Sequence, residues 1–368
     1  MATSLSRLTG SARPLVESFD VALLDLDGVV YLGDDVVAGV PESLRQCRAL
    51  GMRLAFVTNN ASRTPDQVAQ RLRTLGVPAE AGEVVTSAQA AAHYLAQRLP
   101  AAAAVLVVGA EGLREALRER GLVPVCSAEE QPLAVVQGYG PQVDAAMLSE
   151  AAVALGRGVP WVATNLDATL PSPRGQLPGN GAFVAALRHA TGCTPIATGK
   201  PDPTMHAESV ERSAARHPIV VGDRLDTDIA GADAVGCPSL LVLSGVTDAR
   251  RLLSAAPTER PTYLGYDLSG LLLPHPDVEL DGQHAHCGNW TVEVNAGGVC
   301  LRSRGGTDLT DGGIGAHGND SSATDDLDAL RALCTAVWSW RDAAGEAAVM
   351  SFNHVGRAAA QALSRLGL

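Results

Sequence analysis

The sequence predicts an α/β protein: a doubly wound parallel sheet as the core, a second α/β unit inserted into it, and a small mixed α/β unit at the C-terminal end. Three observations predict this. Short, nearly continuous apolar runs, which suit strands buried on both faces, alternate with helical stretches. The alternation changes rhythm near residue 88 and resumes its first form near 188. From about residue 275 the texture shifts to a hairpin pattern and a Gly/Asp/Ser-rich stretch. The expected layout is a core of residues 1–87 and 189–272, an insert over 88–188, and a C-terminal unit over 275–368.

Taken in order, VALLDL within Phe19 to Leu26 reads as the first strand, PESLRQCRALG as a helix and RLAFVTNN as the second strand. The next helix opens at Thr64-Pro65-Asp66-Gln67, a capping box with proline in the first turn, and ends at Leu75 and Gly76. VVTS at 84–87 continues the core. In the insert, AAAAVLVVG, LREALRERG, PLAVVQG, AAMLSEAAVAL and PWVATN read as strand, helix, strand, helix, strand. A Pro/Gly-rich loop, LPSPRGQLPGNG, leads to the helix AFVAALRHATG, and the core resumes with the strands HPIVVGD and PSLLVLSGV.

In the C-terminal unit, NWTVEVNAGGVCLRSR predicts a hairpin around Asn295 to Gly298, and GGTDLTDGGIGAHGNDSSATDD a loop or linker. Leu327, Leu330, Leu333, Val337 and Trp340 fall on one helical face, with Trp338 and Trp340 read as core and rim. AAVMSF and VGRAAAQALSRL predict a last strand and helix.

The totals bound the function. With 46% apolar residues and no apolar run of about 18, membrane insertion is not expected. The N-terminal stretch lacks a signal-peptide core, and the seven scattered cysteines contain no CxxC pair, which fits reduced thiols in a cytoplasm. A net charge of −12 argues against nucleic acid as a partner, yet leaves room for a small phosphorylated substrate if a bound cation reverses the field locally. Lys200 is the only lysine among 28 Lys and Arg residues. A crowded pocket holding an anion needs a compact ammonium rather than a planar fork; the competing reading is chance survival on the surface.

Its neighbours favour the pocket. The first strand ends Asp25-Leu26-Asp27-Gly28, with two carboxylates two residues apart and a glycine that lets the chain turn at once. That places them at the carboxyl edge of a parallel sheet, where ligands bind. The second strand delivers Thr58 and Asn59 to the same edge, and a third delivers Asp223, followed by Asp228. Four carboxylates together repel one another unless a cation joins them, and hard oxygen donors point to Mg²⁺.

DLDGVVYLG, FVTNN, TGKPDP and GDRLDTDI resemble, in that order, the four motifs of the haloacid dehalogenase-like hydrolases. More narrowly, the chain is similar to the p-nitrophenylphosphatase-like class, whose C2-type α/β cap lies between the second and third motifs. The resemblance covers residues 18 to 272 and implies a Rossmann-like core and a Mg²⁺-dependent cytoplasmic phosphatase. It implies Asp25 as the nucleophile that forms an aspartyl-phosphate, and Asp27 as the acid and later the base. Thr58, Asn59 and Lys200 would hold the phosphoryl oxygens. Mg²⁺ would be held by Asp25, the backbone carbonyl of Asp27, Asp223 and Asp228, the last directly or through water.

The layout is most similar to actinobacterial glycerol 3-phosphate phosphatases with an appended acyltransferase-like domain, which makes glycerol 3-phosphate the leading substrate. Where many relatives carry GLD followed by TY in the cap, this chain reads GYGPQVDAAM. Tyr139, Asn165 and Arg174 are the cap's candidate substrate contacts, each as readily structural. Other esters remain open (2-phosphoglycolate, pyridoxal phosphate, a sugar phosphate), as do a phosphotransferase or phosphomutase on the same core, and a homodimer. The C-terminal unit lacks R/Q-x-x-G-x-G/A between strand and helix, so it is expected to be non-catalytic, packing on the core or sensing a ligand. Gly109 and Gly112 read as a tight turn rather than a dinucleotide loop. His284, His286 and Cys287 would be zinc ligands only with a second cluster, which the spacing does not supply.

Overall fold

The computed structural model describes residues 8–172, 174–295, 298–304, 322–344 and 351–368. Residues 305–321 of the linker expected after the hairpin, the centre of that hairpin's turn and most of AAVMSF lie outside the described residues, while 322–326, expected in the linker, begin a helix. In chain order, the first elements are β1 (Val21–Leu24), a small hairpin β2 (Tyr31–Leu32) and β3 (Asp35–Val36), α1 (Val40–Ala49), β4 (Arg53–Thr58), α2 (Pro65–Thr74) and β5 (Val84–Thr86). Next come α3 (Ser87–Ala96), β6 (Ala104–Val108), α4 (Glu111–Glu119), β7 (Val123–Val125), β8 (Ala134–Gln137), α5 (Ala145–Gly156), β9 (Trp161–Ala163), β10 (Thr169–Ser172), β11 (Gly175–Pro178), α6 (Asn180–Thr191) and β12 (Ile196–Ala197). Then follow α7 (Pro203–Ser213), β13 (Pro218–Gly222), α8 (Ala230–Ala234), β14 (Ser239–Val242), α9 (Ala249–Leu253) and β15 (Tyr263–Gly265). The last are β16 (Glu279–Asp281), β17 (His284–Cys287), β18 (Trp290–Asn295), β19 (Gly298–Ser303), α10 (Ser322–Ala344), β20 (Phe352–Val355) and α11 (Arg357–Arg365).

Three sheets organise these elements. The core sheet is six-stranded and parallel, in the order β15-β14-β13-β1-β4-β5. All four residues of β1 are buried, as its unbroken apolar run requires of a central strand. The second sheet, β12-β9-β8-β6-β7, is also parallel, and all its strands fall between β5 and β13 in sequence. It is therefore an insert, here called the cap. The third sheet, β16-β17-β18-β19-β20, is antiparallel except for its last pair. Thr64 caps α2 through the N–H of Gln67, whose side chain returns the bond, so the capping box forms as its sequence requires.

Three local features differ from the sequence reading. LPSPRGQLPGNG contains an antiparallel ribbon, β10 with β11, rather than a loop throughout. Pro171 and Pro178 are tolerated there because an isolated two-stranded ribbon does not need every N–H. VPV forms the edge strand β7, where its proline costs no ladder bond that a central strand would require. Finally, α10 is not a one-sided helix. Every residue from Ala329 to Val337 is buried, and so is Trp338, because the helix is sandwiched between the third sheet and the core.

Candidate active site

The chain folds so that the carboxyl ends of β1, β4 and β13 lie side by side. Asp25 follows β1 directly, its N–H donating to Val221 O of the neighbouring strand at 2.9 Å. Gly28 then turns with φ +88°, a conformation open to glycine, and a Cβ there would collide with the Asp223 carboxylate. A Cβ on Gly222 would likewise strike Asp228. Glycine at both positions is what lets the carboxylates close up.

Lys200 Nζ sits between Asp25 Oδ1 at 2.5 Å and Asp228 Oδ1 at 2.6 Å, and its side chain is 4% exposed. Burial alone would lower its affinity for a proton, but Asp228 and Asp25 outweigh that and hold the ammonium charged. Asp228 Oδ2 accepts from Arg224 N at 3.1 Å and Asp223 Oδ2 from Val246 N at 2.7 Å. Asp223 Oδ1 is buried without a partner among the described residues.

Carboxylate oxygens of Asp25, Asp223 and Asp228 lie within 4.8 Å of one another. Three carboxylates share one ammonium, with Arg224 acting from farther off, so the cluster carries an excess of acidic groups. That imbalance shows in the titration: burial first, then Asp228 and Asp223, push Asp25 well above the usual carboxylate range against the pull of Lys200. Burial and Asp228 push Asp223 up to about 6. An oxygen-only donor set, an orphaned buried oxygen and an excess of acidic groups fit a hard divalent cation.

Asp27 opens onto solvent in the crevice, yet protein surrounds it closely enough that burial raises its carboxyl, opposed by Arg71, Lys200 and Arg63. It stands beside Tyr31 of the β2–β3 hairpin, whose hydroxyl is raised by burial and by Asp27. Thr58 is buried, and its Oγ1 accepts from Asn60 N at 3.2 Å, which leaves the hydroxyl proton to donate.

Asn59 is arranged differently from the expectation. Its Oδ1 accepts from Lys200 N at 2.9 Å and its Nδ2 donates to Lys200 O at 3.1 Å, with Asp167 Oδ2 at 3.4 Å. The side chain is spent on fixing the Lys200 loop, because a loop carrying a buried ammonium needs a rigid backbone. Asn165 is spent in the same way: Nδ2 donates to Asn59 O at 2.8 Å, Oδ1 accepts from Asp167 N, and its carbonyl accepts from Asn180 Nδ2. It is a latch from cap to core. Arg174 is exposed at the tip of the β10–β11 ribbon, its N–H on Ser172 Oγ, and Tyr139 is half-buried just beyond β8.

Sequence reasoning missed Asp167 and Arg224. Asp167 descends from the cap beside Asn59; burial raises its carboxyl, while Arg224 draws it down. The Asn-x-Asp spacing was legible, but nothing in one sequence shows that it meets an arginine 57 positions away. His93, Glu208 and Glu211 also converge, but Glu208 is already paired with His93 at 2.6 Å, Arg120 at 2.7 Å and Arg212 at 2.7 Å, an environment that repels a cation. His284 and His286 share one face of β17 while Cys287 is buried on the other, so the three do not form a zinc site. His206 is wholly buried, both ring nitrogens lack a partner among the described residues, and burial lowers it to about 4; nothing in the structure explains it.

Comparisons with known proteins agree with this geometry. Residues 22–123 match the haloacid dehalogenase-like hydrolase family, 197–271 a second HAD-hydrolase-like family, and 287–368 a GCN5-related N-acetyltransferase-like domain. The chain is 45% identical over 332 residues to a D-glycerol 3-phosphate phosphatase of Mycobacterium tuberculosis, covering 90% of this chain and 89% of that one. It is 35% identical to an acid sugar phosphatase of Staphylococcus aureus over 69% of this chain and 97% of that one. Among solved structures, a glycerol phosphate phosphatase of M. tuberculosis in complex with magnesium superposes with a TM-score of 0.84, at 41% identity, over 96% of this chain and 99% of that one. The p-nitrophenyl phosphatase of Archaeoglobus fulgidus gives 0.64 at 29% identity, over 69% of this chain and 98% of that one.

Proposed function

Since this chain belongs to the haloacid dehalogenase-like hydrolases and is a phosphoric monoester hydrolase, we propose that its substrate is glycerol 3-phosphate, released as glycerol and phosphate with Mg²⁺ as cofactor. The observation that carries the chemistry is Lys200 lodged between Asp25 and Asp228 beside the orphaned oxygen of Asp223. The substrate is supported by similarity along the whole chain, the C-terminal domain included, to a phosphatase of that ester.

In this reading Asp25 Oδ attacks phosphorus, forming an aspartyl-phosphate as the ester oxygen departs. Asp27, its carboxyl raised by burial, gives that oxygen its proton and later takes one from the water that releases phosphate. Lys200 and Thr58 hold the phosphoryl oxygens, while Asn59 holds Lys200. Asp25, Asp223, Asp228 and the Asp27 carbonyl would hold Mg²⁺, which would supply the positive charge that lets an anion approach three carboxylates. The domain layout that goes with it is a core of 1–87 and 189–272, a specificity cap of 88–188 whose sheet also takes in β12 at Ile196–Ala197, beyond the boundary read from the sequence, and a non-catalytic C-terminal domain of 275–368.

No helix among the described residues is long and apolar enough to cross a membrane. A cytoplasmic location is part of the proposal, supported by seven cysteines that are all free.

The test is phosphate release from glycerol 3-phosphate, 2-phosphoglycolate and pyridoxal phosphate, with Mg²⁺ and with a chelator. Release from glycerol 3-phosphate that stops with the chelator and drops by on the order of 10³-fold or more in Asp25→Asn is the expected result. Release from another ester alone would discard the substrate and keep the mechanism. Faster transfer to a sugar hydroxyl than to water would replace hydrolysis with phosphotransfer.

A further inference from the structure

We propose that Arg63 reads the leaving group: it forms, in the groove between α2 and the β2–β3 hairpin, a subsite for the hydroxyl or carboxylate oxygens next to the ester carbon. This deepens the hydrolase reading above and rests on it. Arg63 lies in the short loop that joins the Thr58-Asn59-Asn60 strand end to α2. It is half-buried, and among the described residues its guanidinium makes no hydrogen bond or ion pair. Arg71, by contrast, is tied to Gly33 O and Asp34 and lies over the Tyr31 ring. A guanidinium partly withdrawn from water, with five donors and no hydrogen bond among the described residues, is set for an acceptor that arrives with the substrate.

Its position marks which end of the substrate it meets. The charges acting on Asp25, where phosphorus is attacked, are those of Lys200, Asp228 and Asp223. Those acting on Asp27, where the departing oxygen takes its proton, are Arg71, Lys200 and Arg63. Arg63 thus acts electrostatically on Asp27, and its loop directly continues the strand end that carries Thr58; in this proposal it serves the leaving-group side. It lines a cavity of about 460 Å³ together with Asp34, Gln67, Gln70 and Arg71.

Most of the polar groups of that cavity are donors; the exception is the exposed Asp34 carboxylate, which meets Arg71 through one oxygen at 3.3 Å. Gln67 Oε1 is taken by Thr64 N and Gln70 Oε1 by Arg73, which leaves both amide NH₂ groups. A donor-rich wall selects an acceptor-rich partner.

The cap fixes where Arg63 starts from. Gly112, at the beginning of α4, donates its N–H to Ser62 O at 3.3 Å, and a Cβ there would overlap the Arg63 carbonyl. Glycine is required by this close approach, and with it the cap clamps the backbone from which the Arg63 side chain springs. Gly112, expected in a tight turn, lies instead in the first turn of α4, where it is a contact point between cap and core.

The test is kcat and KM for wild type, Arg63→Ala and Arg63→Gln on glycerol 3-phosphate, 2-phosphoglycolate and p-nitrophenyl phosphate, whose ester carbon has no such neighbour. The expected result is a fall in kcat/KM of about tenfold or more on a polar ester, against less than about threefold on p-nitrophenyl phosphate, as loss of a charged hydrogen bond dictates. A fall confined to glycerol 3-phosphate assigns the subsite to a hydroxyl, one confined to 2-phosphoglycolate to a carboxylate. Gly112→Ala should reproduce the same selectivity more weakly. Equal loss on all three esters would overturn the proposal, as would wild-type turnover of p-nitrophenyl phosphate alone. Wild type inactive on all three with Mg²⁺ would overturn the hydrolase reading and this one with it. Arg63→Gln, which keeps much of the packing, decides the matter if the alanine variant melts early.

Discussion

The core makes two contacts of opposite character, one with the cap and one with the C-terminal domain. The cap meets it through backbone and polar groups, Asn165 on Asn59 O, Gly112 on Ser62 O and Arg120 on Glu208, and through small side chains, with Ala61 packed in the cap's apolar cluster and Ala90 in the core's. The C-terminal domain meets it through one continuous apolar cluster, in which Leu252, Leu253 and Leu264 of the core pack with Leu330, Leu333 and Trp338 of α10. Hydrogen bonds given up to water cost little net free energy, whereas exposed apolar surface costs about 25 cal/mol per Å². The first contact suits a lid that parts and closes during turnover; the second suits a permanent buttress.

The buttress reaches the site. Leu225 and Ile229, in the turn that carries Asp228, belong to that same apolar cluster. Arg260 adds a bidentate pair to Asp342 at 2.6 Å, and Arg331 Nη2 donates to Leu264 O. Deleting residues 275–368 should therefore be the most damaging change: aggregation, or a melting temperature lowered on the order of 10 °C or more, with activity lost in parallel. A soluble truncated chain with unchanged melting and unchanged kcat would break the comparison. A smaller cut at the same face is Trp338→Ala. Trp338 is 2% exposed and donates Nε1–H to Leu252 O at 3.2 Å, so the substitution should cost about 3–5 kcal/mol in denaturant unfolding. Its kcat per folded molecule should stay near wild type where the domain remains docked.

What could be read in the sequence divides along the same line. The active-site edge was legible because Asp25, Asp27, Thr58, Lys200 and Asp223 sit at strand ends or beside glycine, with Asp228 in the turn that follows Asp223, and strand ends are marked locally by where an apolar run stops. The partners that fix those residues were not. Asn59 gripping the Lys200 backbone spans 141 positions and Asn165 on Asn59 spans 106, and neither leaves a periodic trace. The C-terminal helix misled for a related reason. Periodicity places a helix on one surface, and α10 has two, so the face read from Leu327, Leu330, Leu333, Val337 and Trp340 leaves out Ala329, Ala332 and Ala336, which are also buried. The ribbon around Arg174 was hidden by prolines that normally argue against strands.

The finest test of the lid is Arg120→Ala. Arg120 follows the cap helix α4 and reaches Glu208 on α7 of the core at 2.7 Å, a pair that also holds Arg212 and His93. Arg120 is 31% exposed, and Glu208 keeps its other partners when it is removed, so global stability should change by less than about 1 kcal/mol. The closed position of the cap, however, loses one of its few charged ties to the core. If the cap parts on each cycle, the variant should favour the open form, raising KM several-fold on glycerol 3-phosphate while kcat stays level or rises, since product leaves through the same opening. A KM and kcat both equal to wild type would mean that the cap does not move about this contact, and that the polar character of the interface serves some purpose other than release.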